Sequence, residues 1–391
     1  MQSALDRTGS IASGPLVAAL SLARAWAGPA CEALLLSGSH ASGEAVWIEW
    51  EGRSVSLSDL DLYAVMPESR ECRAAERRAR AARPGLASRL LGLGIASPLE
   101  VGFLTARDLQ RLPARPGTLE LARHARVVAG DPAWLSRLPS YAPRDVPAEE
   151  TLLLLENRGF ELLAAQARIE GAPLDRWRAR HAVLKCALDL AGVVALAHRE
   201  YPDGAEARVA WMRQHDPVPD PGLATLCATA LAWRRAPSPW DSPGAARDEW
   251  HSVVRAWTTV WDRLGRARLP GEPDPVRRAM ALAARARVPR RVRQALRFET
   301  RGGPGPGAWR RWSHALRGTP QHRLNASATV LLLAAAESAE PPALDSKTRA
   351  ALDRLGAVSL PRGADFGVAA AEAVRLWDRW ILDGQRSAEG D

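Results

Sequence analysis

Lysine is almost missing from this sequence. Of 53 basic residues among 391, only Lys185 and Lys347 are lysines. The arginines are spread along helical segments among glutamates, so the net charge of +9 does not predict a concentrated basic stripe for nucleic acid. We expect nucleic acid to be an unlikely partner. The alternative is an arginine-rich surface near residues 289–312, which would bind RNA or DNA with a steep salt dependence.

Cysteines and long apolar runs are also scarce. The four cysteines lie far apart and form no CxxC pair, which argues against a zinc ribbon or a disulfide framework and favours a cytoplasmic location. No apolar run reaches the roughly 18 residues of a membrane span, so we expect none. The apolar stretch near the N-terminus resembles a targeting leader, but Arg24 interrupts it. We therefore expect an amphipathic helix from Pro15 to Ala27.

Strand-like patterns are confined to the first third of the chain, which predicts an α+β fold. The patterns are ALLLSG, AVWIEW, SVSLSDLDLYAVM, PLEVGFLT and ARVVAGD. After a proline-rich joint at about 132–150, the periodicity becomes helical throughout. The length suits two or three domains. We expect a mixed sheet with flanking helices in 1–148, a helical bundle in 149–240, and a helical extension or third domain in 241–391.

Tryptophan is concentrated in the helical part. Trp250, Trp257 and Trp261 fall at helical spacing on one face. Packing of helix against helix is the expected role, with a stacking platform for bases or sugars as the alternative.

Two aspartates at alternate positions stand out in the stretch SDLDLYAV. In a strand, Asp59 and Asp61 point to one face, while Leu60 and Leu62 point to the other. Two carboxylates on one face repel each other unless a cation lies between them. The pattern therefore indicates a cation site, although a capping acid beside a turn also explains many such pairs.

Further candidate site residues flank this strand. Upstream, Gly38 and Ser39 end an apolar strand, where glycine permits close backbone approach and serine offers donors to a phosphate. Glu100 lies on the next strand candidate and supplies a third carboxylate. A glycine-serine turn and three acids together predict a site for metal ions and phosphate.

This ordered set resembles the nucleotidyltransferase superfamily, which includes DNA polymerase β and the aminoglycoside nucleotidyltransferases. The resemblance covers about residues 15–135. It implies that Gly38 and Ser39 hold the phosphates of a nucleoside triphosphate such as ATP, and that Asp59 and Asp61 bind two Mg²⁺ ions. It also implies that Glu100 shares a metal or helps to deprotonate the acceptor hydroxyl. The implied reaction moves a nucleoside monophosphate onto a hydroxyl and releases pyrophosphate.

The sequence departs from the family in three places. The gap between Gly38 and Asp59 is longer than usual, and the excess predicts an inserted β-hairpin turning at Glu51-Gly52, which can lengthen the sheet. Ser42 stands where many relatives carry an arginine. Glu100 replaces the commoner aspartate.

The helical part offers several further candidates. Lys185 is assigned to the nucleotide phosphates, with a solvated helix lysine as the alternative. Asn157 and Arg158 either face the cleft or fix helices together. His181 and His198 lack metal-ligand spacing and are expected in the core or on the surface. Glu44 is expected to be an exposed glutamate at a helix start.

The acceptor hydroxyl stays open: a small molecule, a sugar or a protein. The third case would resemble small antitoxins of this superfamily that adenylylate a helical partner toxin. The competing hypothesis is a catalytically inactive binding or scaffolding protein that kept the fold, which would bind nucleotide without regard to magnesium.

Overall fold

The computed structural model describes residues 14–215, 221–285, 319–338, 344–358 and 360–378, and these form a mixed α+β protein. Its strands are β1 Ala33–Ser37, β2 Trp47–Trp50, β3 Arg53–Ser56, β4 Leu60–Met66, β5 Leu99–Thr105 and β6 Arg126–Gly130. The helices of the same part of the chain are α1 Gly14–Ala27, α2 Gly38–Ser42, α3 Ser69–Ala81, α4 Leu86–Gly92, α5 Ala106–Gln110 and α6 Pro116–His124. Two 3₁₀ turns follow, Pro132–Arg137 and Pro143–Asp145.

The rest of the described chain is helical. Its helices are α7 Ala148–Gln166, α8 Pro173–Ala197, α9 Gly204–His215, α10 Pro221–Arg235, α11 Pro243–Arg268, α12 Pro275–Ala283, α13 Pro320–Ala336, α14 Ser346–Leu355 and α15 Phe366–Trp377. The change from strands to helices near residue 148 is thus confirmed. The arginine-rich candidate at 289–312 lies outside the described residues.

Four strands form one mixed sheet in the order β5-β4-β1-β6. β1 runs antiparallel to β4 and β6, whereas β4 and β5 are parallel. The β1–β4 register places Ser37 opposite Asp61, and the β4–β5 register places Asp61 opposite Glu100. The last residues of β1 therefore lie beside the first residues of β4.

Helix α1 covers one face of this sheet, as its sequence predicts. Leu16, Ala19 and Ala23 recur at helical spacing and are fully buried. Arg78 of α3 donates to the carbonyl oxygens of Trp26 and Ala27, both at 2.7 Å. These bonds satisfy acceptors that the end of α1 would otherwise leave unpaired, and they fix α3 against α1.

The inserted hairpin forms, but it does not lengthen the main sheet. β2 and β3 form a separate two-stranded sheet, which is joined to the segment before β5 by a single bridge from Ser56 to Ile95, and they turn at Glu51 (φ 50°) and Gly52 (φ 73°). Their inward side chains, Ile48 and Val55, belong to the buried cluster of the helical region. The expectation of a wider sheet is wrong because the apolar face of the hairpin packs against helices.

Helices α7 to α15 share one buried apolar cluster among the described residues. The three tryptophans of α11 lie inside it, with Trp257 and Trp261 fully buried, so the packing role is confirmed. Trp257 Nε1 donates to the Leu155 carbonyl and Trp250 Nε1 to the Leu162 carbonyl, both at 2.8 Å, which dock α11 on α7. A domain boundary near residue 240 stays a prediction.

The membrane expectation can be compared directly with the helices. Within the part of the chain that the structure describes, every helix is too short or too polar to cross a bilayer.

Candidate functional site

A cavity of about 200 Å³ lies between the sheet and the helical region. Five of the six residues assigned to the site from the sequence line it: Gly38, Ser39, Asp59, Asp61 and Lys185. The fold thus brings together groups that are up to 147 residues apart in the chain, because the end of β1 and the start of β4 lie beside α8.

The glycine-serine turn fits closely against Asp61. Gly38 follows β1 directly and has φ +65°, a conformation that favours glycine. A Cβ atom at Gly38 would lie 2.5 Å from Asp61 Oδ2. Only a residue without a side chain lets the turn and this carboxylate share the cavity edge.

The turn itself is fixed from behind by buried polar contacts. His40 Nε2 donates to the Ser58 carbonyl at 3.3 Å and lies 3.1 Å from Ser56 Oγ. Burial lowers the pKa of His40, which favours the neutral ring. On the other side, Arg126 of β6 donates to the Ala41 carbonyl at 2.9 Å. The turn is therefore held relative to the residues that precede Asp59.

Lys185 pairs with the first aspartate across the cavity. Its Nζ lies 2.8 Å from Asp59 Oδ2 and 3.8 Å from Glu161 Oε1. Burial opposes the ionisation of Asp59, but the ammonium of Lys185 outweighs it and lowers the pKa of that carboxyl. The same two acids outweigh burial at Lys185 and raise its pKa. Both groups are therefore charged at neutral pH.

Asp61 lies in the opposite electrostatic situation. Burial, followed by the negative charges of Asp59 and Glu100, raises the pKa of Asp61 to about 7. Glu100 does not line the cavity, and it acts on Asp61 from the neighbouring strand. Three carboxylates thus converge near one another, and the group lacks enough positive charge for all of them to ionise easily.

The donor chemistry of this group fits a hard divalent cation. Carboxylate oxygens are what Mg²⁺ binds in proteins, and the excess negative charge around Asp61 would be relieved by such an ion. In residues 14–215, 221–285 and the shorter described segments beyond them, no three His, Cys, Asp or Glu side chains already surround one metal position. Asp59 pairs with Lys185 instead, and Asp59 and Asp61 are the two cavity-lining acids of this group that could hold a cation.

Arg158, for which the sequence left open facing the cleft or fixing helices together, does both. Arg158 of α7 donates to both Glu161 and Asp189, and it lines the cavity with Asp189. His181 also lines the cavity, where its side chain is partly buried. Burial, followed by the charge of Lys185, lowers the pKa of His181 to about 3 and keeps the ring neutral.

A spacing signal for this wall was present in the sequence. His181, Lys185 and Asp189 recur every four residues, which places them on one face of α8. Of the remaining candidates, Asn157 does not line the cavity, and the ring of His198 packs against Trp211 at 5.7 Å between centroids.

Glu44 connects the turn to two helices of the helical region. It follows the end of α2 rather than starting a helix, and it is partly buried, so the expectation of an exposed helix-start glutamate is wrong. Its Oε1 accepts a hydrogen bond from the Ala205 amide at 2.7 Å. Arg234 Nε donates to the Glu44 carbonyl at 2.8 Å. The residue thus links the edge of the cavity to α9 and α10.

A further ion pair lies in the cavity wall. Arg208 of α9 donates to Glu120 of α6, and Arg123 of α6 donates to the Tyr201 carbonyl at 2.8 Å. The cationic side chains of the cavity wall thus have carboxylate or carbonyl partners; these are Arg158, Lys185, Arg208 and Arg234.

No protein-family model matches this chain, and no curated protein matches it at a significant level. Its function therefore has to be inferred from the cavity itself.

Proposed function

We propose that this chain is a magnesium-dependent nucleotidyltransferase, which moves a nucleoside monophosphate from a nucleoside triphosphate onto an acceptor hydroxyl and releases pyrophosphate. The observation that carries this proposal is the contact of Gly38 with Asp61 in a cavity that also holds Asp59 and Lys185. The glycine-serine turn and two carboxylates that could hold a cation are then available at one place.

The topology supports the same proposal. The aspartates lie at the start of β4, next to a turn that follows β1 within a four-stranded mixed sheet, and a helical region forms the opposite wall. This arrangement agrees with the resemblance to the nucleotidyltransferase superfamily.

Each residue has a proposed part. Asp59 and Asp61 would hold Mg²⁺, with Glu100 near them as the third acid. When bound, magnesium would hold phosphate oxygens and neutralise the charge that develops during transfer. Gly38 and Ser39 would let the phosphates approach the backbone, while Lys185 would meet them from α8 with a compact positive charge.

The residues that line the cavity indicate which kind of acceptor could bind there. Glu44, Glu120, Arg208 and Trp233 also line the cavity. Such a mixed wall suits a polar acceptor that carries hydroxyl groups, whether small molecule, sugar or protein side chain. A scaffolding protein without turnover is the alternative, and the resting pair of Lys185 with Asp59 is compatible with it.

The deciding experiment is incubation of the purified protein with each α-labelled nucleoside triphosphate and Mg²⁺. We expect pyrophosphate release and transfer of label to a hydroxyl compound or to a co-purified protein. Both should fall at least about 100-fold in Asp59→Asn and Asp61→Asn variants, because each loses a charged metal ligand.

Glu49→Gln is the matched control, since Glu49 is an exposed acid on the hairpin outside the cavity. It should keep full activity. Nucleotide binding that is indifferent to magnesium and unchanged in the aspartate variants would contradict the enzyme and favour the scaffolding protein.

A further inference from the structure

Lys185 occupies a place that the proposed metal would need. Its ammonium lies 2.8 Å from Asp59 Oδ2, and the two side chains are 26% and 34% exposed, so water only partly screens the pair. A divalent cation bound by Asp59 would face this ammonium at close range. The ammonium and the cation would repel each other at that distance.

A second carboxylate gives Lys185 somewhere to go. Glu161 Oε1 lies 3.8 Å from Nζ, only 1.0 Å farther than Asp59 Oδ2. Glu161 belongs to α7 and is itself held by Arg158. The lysine side chain has four flexible methylene groups, so a small rotation transfers its ammonium from one acid to the other.

The second aspartate has no such partner. Within the described residues, Asp61 makes no ion pair, while Lys185 pairs with Asp59. The protein therefore supplies a cationic side chain to Asp59 and none to Asp61.

Resting on the proposed function, in which Asp59 and Asp61 are metal ligands, we propose that Lys185 is an exchangeable counter-ion. It neutralises Asp59 in the metal-free protein. It turns to Glu161 and the cavity when a divalent cation takes the carboxylate.

Coupling between metal and nucleotide follows from this exchange. A metal ion alone has to displace the ammonium from Asp59, so it binds weakly. A nucleotide offers its phosphates to the displaced ammonium and so favours the exchanged state. By linkage, each ligand then increases the affinity of the other by the same factor. The cavity would thereby bind metal and nucleotide together rather than in separate steps.

The scarcity of lysine makes the exchange directly visible. Protein grown with isotopically labelled lysine should give two side-chain signals in NMR spectra, because the chain has only Lys185 and Lys347. A Lys347→Met variant assigns them. Addition of MgCl₂ without nucleotide should shift the Lys185 signal in a saturable way and leave that of Lys347 unchanged. In Asp59→Asn the Lys185 signal should start displaced and should not respond.

Calorimetry with Mg²⁺ alone provides the second measurement. Lys185→Met removes the competing ammonium and should bind Mg²⁺ at least about tenfold more tightly than the unaltered chain, because a close positive charge opposes a cation. The same variant should lose most of the gain in metal affinity that a nucleotide confers. Lys347→Met, which removes an exposed lysine 3.2 Å from Asp274, should change neither value.

Several outcomes would overturn the exchange. It is wrong if Mg²⁺ binds while the Lys185 signal stays still, if Lys185→Met binds Mg²⁺ no more tightly, or if Mg²⁺ binds to neither protein. The unaltered chain carries the NMR test, so misfolding of a variant cannot decide it.

The result is separable from the proposed activity. A shifted Lys185 signal without any cleavage of nucleoside triphosphates would support the exchange and contradict the transferase. Pyrophosphate release in the presence of bound Mg²⁺, with an unchanged Lys185 signal, would support the transferase and contradict the exchange.

Discussion

Gly38 illustrates how a single backbone position can be required by two constraints at once. Its φ of +65° is unfavourable for other residues, and a Cβ there would meet Asp61 Oδ2 at 2.5 Å. Gly52 has a similar φ of +73°, but nothing lies within 4 Å of its Cβ position. A side chain at Gly52 would therefore meet backbone strain alone, whereas one at Gly38 would meet both the strain and the Asp61 carboxylate.

Substitution of each glycine by alanine should show this difference. Gly52→Ala should cost about 1 kcal/mol of unfolding free energy, the ordinary penalty of a left-handed alanine. Gly38→Ala should cost more, since Asp61 must also move, and it should abolish pyrophosphate release. Chemical denaturation and the transfer assay measure the two effects. Equal costs in both variants with full activity in Gly38→Ala would contradict the close fit.

Glu156 is a second residue whose surroundings set its chemistry. It lies on α7 among the core helices and accepts a hydrogen bond from Asn325 Nδ2 at 2.9 Å. Burial raises the pKa of Glu156 to about 7, although the hydrogen bonds oppose the shift. The folded protein therefore keeps this carboxyl protonated where the unfolded chain releases the proton.

The stability of the protein should accordingly depend on pH through Glu156. Because the pKa of Glu156 is raised in the folded protein, the contribution of this residue to the free energy of unfolding is fully present below about pH 4.5. It is lost as the pH rises through about 7. Glu156 is partly exposed, so the loss between pH 5 and pH 8 should be at most about 2 kcal/mol. Urea unfolding at both pH values measures it. Glu156→Gln should lower the pH dependence by that amount, and an unchanged dependence would exclude this residue as its source.

At the scale of elements, the connection between the turn and the helical region matters most. Glu44 accepts from the Ala205 amide at the start of α9 and contacts Arg234 of α10. An acidic side chain at a helix start satisfies an otherwise unpaired donor and interacts well with the helix dipole. Glu44 thus connects the turn to both α9 and α10.

Removal of this connection should loosen the cavity. Glu44→Ala should destabilise the protein by about 1–2 kcal/mol, the usual cost of a lost helix cap. Glu44→Gln keeps an oxygen for the Ala205 amide and should recover part of the loss. Thermal unfolding measures both. If alanine and glutamine variants were equally stable, the hydrogen bond to Ala205 would contribute nothing.

For the whole molecule, the hairpin connects the two main parts. Val46, Ile48, Val55 and Leu57 are buried in the same apolar cluster as helices α7 to α15. Removal of the helices would expose this surface to water. The two parts should therefore depend on each other for stability, since buried apolar area dominates the free energy of folding.

Residues 1–148 expressed alone should consequently expose an apolar surface. We expect this fragment to bind a hydrophobic dye and to self-associate, while the full chain does neither. The fragment with Ile48→Ser should associate less, because Ile48 is 5% exposed in the full chain and would face water in the fragment. A monomeric fragment that ignores the dye would show that the sheet region is independent of the helices.

Local patterns were sufficient to predict most of the secondary structure. The five strand-like stretches account for β1 to β6, and the hairpin turns at the predicted Glu51-Gly52 because positive φ angles are needed there. The placement of the hairpin could not be predicted in this way. Alternation of Ile48 with its neighbours shows that one face is buried, and it does not say which partner buries it.

The residues of the candidate site also fall into those that local sequence patterns predict and those that only tertiary contacts bring there. By itself the sequence determined a glycine-serine turn after one strand and two aspartates at the start of another, because these features depend on neighbouring residues. Only the tertiary structure decided that Lys185 pairs with Asp59, that His181 and Arg158 face the cavity, and that Glu44 connects its walls. Lys185 and Asp59 are 126 positions apart in the chain, and Glu44 and Ala205 are 161 positions apart. Only the packing of the helices against the sheet brings such distant residues within hydrogen-bonding distance.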